Sequence, residues 1–128
     1  MKTFHPLLLI LVTLLIMGCA TVTAQTVSSE NAIITVRFTA LPDKGAEAVS
    51  GITKLLEQVK KEPNFVSISM HVDVNDDTNI LLYEVWSDGA YYYGAHMETA
   101  HLQQFMTDSR SFLAGPPEIV SWKLESEF

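Results

Sequence analysis

Cysteine is almost missing from this chain: Cys19 is the single one among 128 residues. A lone thiol excludes an internal disulfide and every metal or redox site that needs two thiolates from one chain. Basic residues are also scarce. There are 8 Lys and Arg against 15 Asp and Glu, for a formal charge of −7 and an isoelectric point near 4.9. Such a balance offers phosphate backbones no electrostatic footprint and argues against a nucleic-acid partner. The one long apolar run, Leu7 to Met17, is too short to cross roughly 30 Å of hydrocarbon as a helix. No internal repeat or low-complexity stretch interrupts the chain. Apolar side chains are abundant, at 48% hydrophobic, more than an acidic disordered tail carries, in a length that fits one domain.

The apolar run follows a short basic start, Met1-Lys2, and precedes Gly18, which is the pattern of an export signal over residues 1–18. Two processing routes fit it. The stretch Leu15-Ile16-Met17-Gly18-Cys19 resembles a bacterial lipobox, which would make Cys19 the lipidated N-terminus and tether the protein to a membrane. Alternatively, Val22-Thr23-Ala24 supplies the small residues after which an ordinary signal peptidase cuts. The expected location is the cell envelope or periplasm, or outside the cell. Residues 19–30 are small and polar, as a tether is, and residues 31–128 are the expected folded domain.

Within that domain the periodicity changes in an orderly way. Ile34, Val36 and Phe38 alternate with Ile33, Thr35 and Arg37 as in a strand. Leu41-Pro42-Asp43 ends it, with Asp43 placed to cap a helix expected over residues 44–61. That helix buries Val49, Ile52, Leu56 and Val59 and stops before Pro63. A second strand puts Val66, Ile68, Met70, Val72 and Val74 on one face and Ser67, Ser69, His71 and Asp73 on the other. After the turn Asn75 to Asn79, residues 80–86 are apolar on both faces except at Glu84, which marks a central strand. Asp88 and Thr99 are expected caps for two helical stretches, from Ala90 to Met97 and onward through Phe105 and Phe112. Gly115-Pro116-Pro117 precedes a last strand from Glu118 to Glu125. The order βαββαβ favours an α+β fold, a ferredoxin-like plait with a four-stranded antiparallel sheet and helices on one face. The uncovered sheet face predicts a homodimer.

Several short motifs follow one another in a telling order. Glu62-Pro63-Asn64-Phe65 leads into the second strand, Tyr83-Glu84-Val85-Trp86 closes the third, and His96, Thr99, His101 and Phe105 come after. Together these resemble the antibiotic biosynthesis monooxygenase domain over about Ala32 to Lys123. The resemblance implies the same plait, paired as a dimeric α/β-barrel. It also implies a monooxygenase that needs no cofactor, with a quinol-like or polyphenolic aromatic and O₂ as substrates. A protein group would accept a phenolic proton inside an apolar pocket, with no metal required. The alternative is a non-catalytic module of the same fold that binds a small molecule at the cell envelope. Haem-degrading relatives carry an asparagine in the first strand and a histidine where Phe105 stands. This chain has no asparagine from Ile33 to Thr39, and Phe105 cannot ligate iron, so haem degradation is disfavoured.

The candidate catalytic residues are His96, His101 and Trp86. Either imidazole can accept or return a proton at neutral pH, or serve as a structural hydrogen-bonding group. The two are out of phase on a single helix and converge only if the chain kinks, which a cap at Thr99 would supply. Trp86 either stacks on a substrate at the cavity wall or fills the core. Candidate substrate contacts are Tyr83, Glu84, Arg37, Phe105 and Tyr92. Alternation puts Glu84, not Tyr83, on the face of Trp86. Glu84 beside His101 or Arg37 would be an orienting acid or a buried ion pair. Arg37 could bind a phenolate or form a dimer salt bridge, and Tyr91-Tyr92-Tyr93 with Phe105 and Met106 could line the pocket or form core and lid. A site of His71, His96 and His101 has no compact metal-ligand spacing, so no metal is expected.

Overall fold

The computed structural model describes residues 30–128. The export segment 1–18, Cys19, the alternative cleavage site and all of the tether but Glu30 lie outside the described residues. Strand β1 (Ala32–Thr39) is followed by helix α1 (Gly45–Val59) and the hairpin of β2 (Phe65–Asp73) and β3 (Asp76–Trp86). A short helix α2 (Gly89–Tyr93), a 3₁₀ turn (His96–Glu98), helix α3 (Ala100–Asp108) and a second 3₁₀ turn (Ser109–Ser111) lead to β4 (Glu118–Trp122). The sheet order is β2-β3-β1-β4 and every pairing is antiparallel. This is the ferredoxin-like α+β arrangement expected from the pattern, with β3 central as its two-sided apolar run required.

Register decides which side chains meet. Ile34 pairs with Glu84, Val36 with Leu82 and Phe38 with Ile80, and all six are buried beneath the helices. Each fully buried Ile, Leu or Val of this set contributes about 1.5 to 3 kcal/mol. The next residues along each strand face the other way: Thr35 pairs with Tyr83 and Arg37 with Leu81 on a sheet face that no helix of the described residues covers. Tyr83 and Trp122 are exposed on that face, where the Trp122 indole N–H donates to Thr35 Oγ1 at 2.8 Å.

Several local expectations are corrected. Asp43 does not cap α1. Its backbone is left-handed (φ 63°), and Lys44, which occupies the cap position, pairs instead with Glu47 in the first turn. The helix is shorter at both ends than expected and buries Ala48, Ile52, Leu55 and Val59, while Val49 and Leu56 are half-buried. Leu56 keeps exposed area because it borders a cavity. In β2 the register shifts between Phe65 and Ser67, leaving Val66 exposed; Val72 is exposed on this edge strand too, and Val74 lies past its end at Asp73 and is exposed in the turn. The helix expected from Ala90 to Met97 stops at Tyr93, and β4 ends at Trp122. Thr99 starts α3 without a side-chain cap, because its hydroxyl donates back to the His96 carbonyl.

Gly45 fixes how α1 meets the start of β3, just past the β2–β3 turn. A Cβ there would lie 2.5 Å from the backbone oxygen of Asp77, which cannot move aside as a flexible side chain can. Gly45→Ala is expected to lower stability by about 1 to 3 kcal/mol, read as a lower urea midpoint. An unchanged midpoint would show that this start of β3 yields freely.

Candidate active site

Between the inner sheet face and helices α1 and α3 lies a cavity of about 610 Å³, large enough for a polycyclic aromatic. Val36, Phe38 and Leu82 form its floor, with Leu55 and Val59 on one wall and Leu102 and Phe105 on another. Its proton-active groups, Glu84 and His96, sit with Tyr92 where β3 runs toward α2. Ser109 and Arg110 lie toward the opposite end, near the bridge between Ala40 and Leu113.

Glu84 is where it is because strand alternation turns it to the same face as Leu82 and Trp86. It is buried, and its carboxylate accepts the Trp86 indole N–H at 2.9 Å. Burial raises its pKa to about 7, against the downward pull of the Trp86 bond and with a smaller upward push from the charge of Glu62. The residue can therefore hold or release a proton near neutral pH. Neither His101 nor Arg37 is its partner. Arg37 lies on the far side of the sheet and donates to Asn79 at 2.8 Å, and His101 bonds elsewhere.

His96 is delivered by the break after α2. Gly94 leaves helical geometry (φ −107°, ψ −98°), and the 3₁₀ turn that follows lays the imidazole against Trp86, with ring centroids 4.8 Å apart, and stacks it on Tyr92 at 5.0 Å. Its Nδ1 bonds Glu62 Oε2 at 2.9 Å. A carboxylate oxygen only accepts, so Nδ1 carries the hydrogen and Nε2 is the ring's acceptor. Among the described residues Nε2 has no hydrogen-bond partner, and the ring lines the cavity.

Glu62 is the residue that sequence reasoning passed over as a site member. It follows the end of α1, where its N–H donates to the Val59 carbonyl, and Asn64 in a left-handed conformation (φ 66°) turns the chain into β2. The side chain is 5% exposed. Oε2 accepts from the Tyr91 hydroxyl at 3.0 Å and from His96, and Oε1 meets His101 Nε2. Three partners compensate the cost of burying the carboxylate. One signal was available in the sequence: an acid just past a helix C-terminus faces the negative end of the helix dipole, so something other than the helix must hold it.

The kink at Thr99, extended at φ −62° and ψ 143°, does bring His96 and His101 together, and Glu62 is what they converge on. The other candidates separate. Phe105 and Tyr92 line the cavity, and burial raises the Tyr92 pKa, keeping its phenol protonated. Trp86 is fully buried and outside the lining; it is the hub of an aromatic cluster with Phe65, Tyr91, Tyr92 and His96 and acts on the cavity through Glu84. His101 does not line the cavity. Tyr83 and Arg37 face away from it across the sheet, because alternation puts both on the outer side. Of the three tyrosines in a row, Tyr91 holds Glu62 and the exposed Tyr93 bonds Ser121. His71 pairs with Ser69 at 3.0 Å on the outer face and, unlike His96, does not line the cavity. Among the described residues no three His, Cys, Asp or Glu side chains gather as a metal site would need.

The family model described as antibiotic biosynthesis monooxygenase matches residues 32–108, the span that builds β1 to α3 and holds every residue of the Glu62 and Glu84 clusters. The chain belongs to the antibiotic biosynthesis monooxygenase family. An uncharacterized protein of Synechocystis is 31% identical over 83 residues, a match covering 65% of this chain and 56% of that protein. The chain thus spans about half the length of this curated relative. Solved structures share the family fold. A Pseudomonas aeruginosa protein superposes with a TM-score of 0.69 at 19% identity, covering 77% of this chain and 98% of that one. SnoaB of Streptomyces nogalater, described as a cofactor-independent oxygenase and solved as a mutant, gives 0.66 at 16% identity over 77% of this chain and 96% of that one.

Proposed function

We propose that this chain is a cofactor-independent monooxygenase that oxidises a quinol-like or polyphenolic aromatic with O₂. The observation that carries the reading is the pairing of an apolar cavity with two proton-active groups, His96 and Glu84, at one end of it. The ring system fills the apolar part, with Phe105 and Phe38, themselves in edge-to-face contact at 5.9 Å, against its faces. His96 Nε2 takes the phenolic proton. Glu84, protonated in part near pH 7, donates a hydrogen bond to a second substrate oxygen and so steadies the anion.

The electron-rich anion gives one electron to O₂, and the resulting radical pair combines into a C–O bond. A substrate carbon that bore hydrogen becomes a hydroperoxide, which takes its proton back from His96 and loses water to leave a carbonyl. One oxygen atom of O₂ enters the product and the other leaves as water. The substrate supplies the electrons, so the sequence of steps calls for no cofactor.

The test is oxygen uptake by the purified protein with a panel of quinols and anthrones, in chelator and against an autoxidation blank. Turnover above the blank that falls about a hundredfold or more in His96→Ala supports the reading. Saturable binding with no turnover replaces it with the small-molecule-binding module. The same proposal includes a homodimer through the open sheet face of Tyr83 and Trp122, and export with Cys19 as lipid anchor. A monomer by light scattering at micromolar concentration would remove the first. A Cys19→Ser variant that stays membrane-bound would remove the second.

A further inference from the structure

Each turnover in the reading above, on which this inference rests, puts a proton on His96 inside an apolar cavity. The Glu62 cluster extends beyond what holding one imidazole requires. Two of its three main members are buried, His96 with 7% and Glu62 with 5% of the side chain exposed, and the third, His101, reaches solvent at 27%. Each carboxylate oxygen serves a different histidine, Oε2 for His96 and Oε1 for His101. His101 does not line the cavity, and its Nδ1 has no hydrogen-bond partner among the described residues.

We propose that Glu62 and His101 form a proton exit from the cavity, with Glu62 coupling the inner imidazole to the outer one. The step starts from the state in which a protonated His101 faces the Glu62 carboxylate that its Nε2 meets. When the substrate O–H bond breaks and an N–H bond forms at His96 Nε2, the His101 Nδ1–H bond breaks and that proton passes to bulk water. The charge on the cluster itself is the same before and after, and the new substrate anion faces the protonated His96. The return step runs in reverse when the hydroperoxide takes its proton from His96. Tyr91, bonded to the same Oε2 as His96, holds the carboxylate against rotation, and its phenol stays protonated through burial and the adjoining Glu62. Glu84 is the other acid near the cluster and is tied to Trp86 rather than to either histidine. Bulk water thus receives a proton from His101 while the substrate's own proton stays on His96, and no water need enter the cavity.

His101→Gln tests this, since glutamine can still donate toward Glu62 but carries no proton in or out; His101→Asn serves as a second variant. In weakly buffered solution, oxygen uptake by His101→Gln is expected to fall about tenfold or more, with KM unchanged, and to recover on adding imidazole. A variant as fast as the wild type, or a loss that imidazole fails to restore, overturns the exit. A second readout does not depend on oxygenation. Mixing the protein with 2-naphthol under argon and following naphtholate absorbance beside a pH-indicator dye should show both signals slowed together in His101→Gln and restored by imidazole. If the wild type oxidises none of the quinols, the oxygenase reading falls, and the naphthol experiment judges the exit alone. No naphtholate, or equal rates in both proteins, overturns it.

Discussion

Glu62→Leu is expected to cost about 3 to 5 kcal/mol of stability and to remove turnover along with it. Leucine has nearly the volume of glutamate and suits an apolar surrounding, so the loss does not come from a cavity. It comes from three groups that lose their acceptor together: the Tyr91 hydroxyl, His96 Nδ1 and His101 Nε2. The urea midpoint should drop while the slope of the transition holds, because the surface exposed on unfolding hardly changes. Glu62→Gln, which keeps the shape and one acceptor oxygen, should fall between leucine and the wild type. A leucine variant as stable as the wild type would mean that desolvating the carboxylate cancels all it gains from its partners.

Glu84→Gln should change the pH dependence of stability more than stability itself. The folded protein raises this carboxyl from 4.5 to about 7. Between those values the folded state keeps a proton that the unfolded chain has given up. Stability is therefore highest at and below about pH 4.5 as far as this group is concerned, and it declines as the pH rises through 7. The full decline amounts to roughly 3 kcal/mol. Glutamine still accepts the Trp86 N–H and has no proton to lose, so the variant should match the wild type near pH 4.5 and exceed it by that amount near pH 8. Thermal melts of both proteins across this range would show it. Parallel curves would mean that the cavity solvates Glu84 far better than its burial suggests. Glutamine also keeps a donor for the substrate anion at every pH, so if Glu84 steadies that anion as proposed, the variant should hold its turnover above pH 7, where the wild type loses the proton it donates.

The architecture was readable along the chain because strand and helix write themselves in local period. Alternation in residues 33–39 and 66–72, a two-sided apolar run in 80–86 and the three-and-four spacing of α1 are set by neighbours in sequence, and the helices and sheet order agreed with them. The same alternation told Glu84 from Tyr83, and the out-of-phase histidines required the break that Thr99 marks. Details that depend on contact were less legible. A left-handed turn at Asp43 cancelled a cap that its side chain alone would favour, and an edge-strand irregularity exposed Val66.

The site itself was decided by the fold. Glu62 is separated from His101 by 39 positions and from Tyr91 by 29, and neither separation has a period that points to contact. Nor does the sequence say that Trp86 would be wholly enclosed, or that Glu84 would answer to its indole rather than to Arg37 or His101. Local pattern fixes which face of an element a side chain takes. Which buried acid meets which buried base depends on how α1, β3 and the turn before α3 pack together, and on the free energy of leaving any of those groups unpaired.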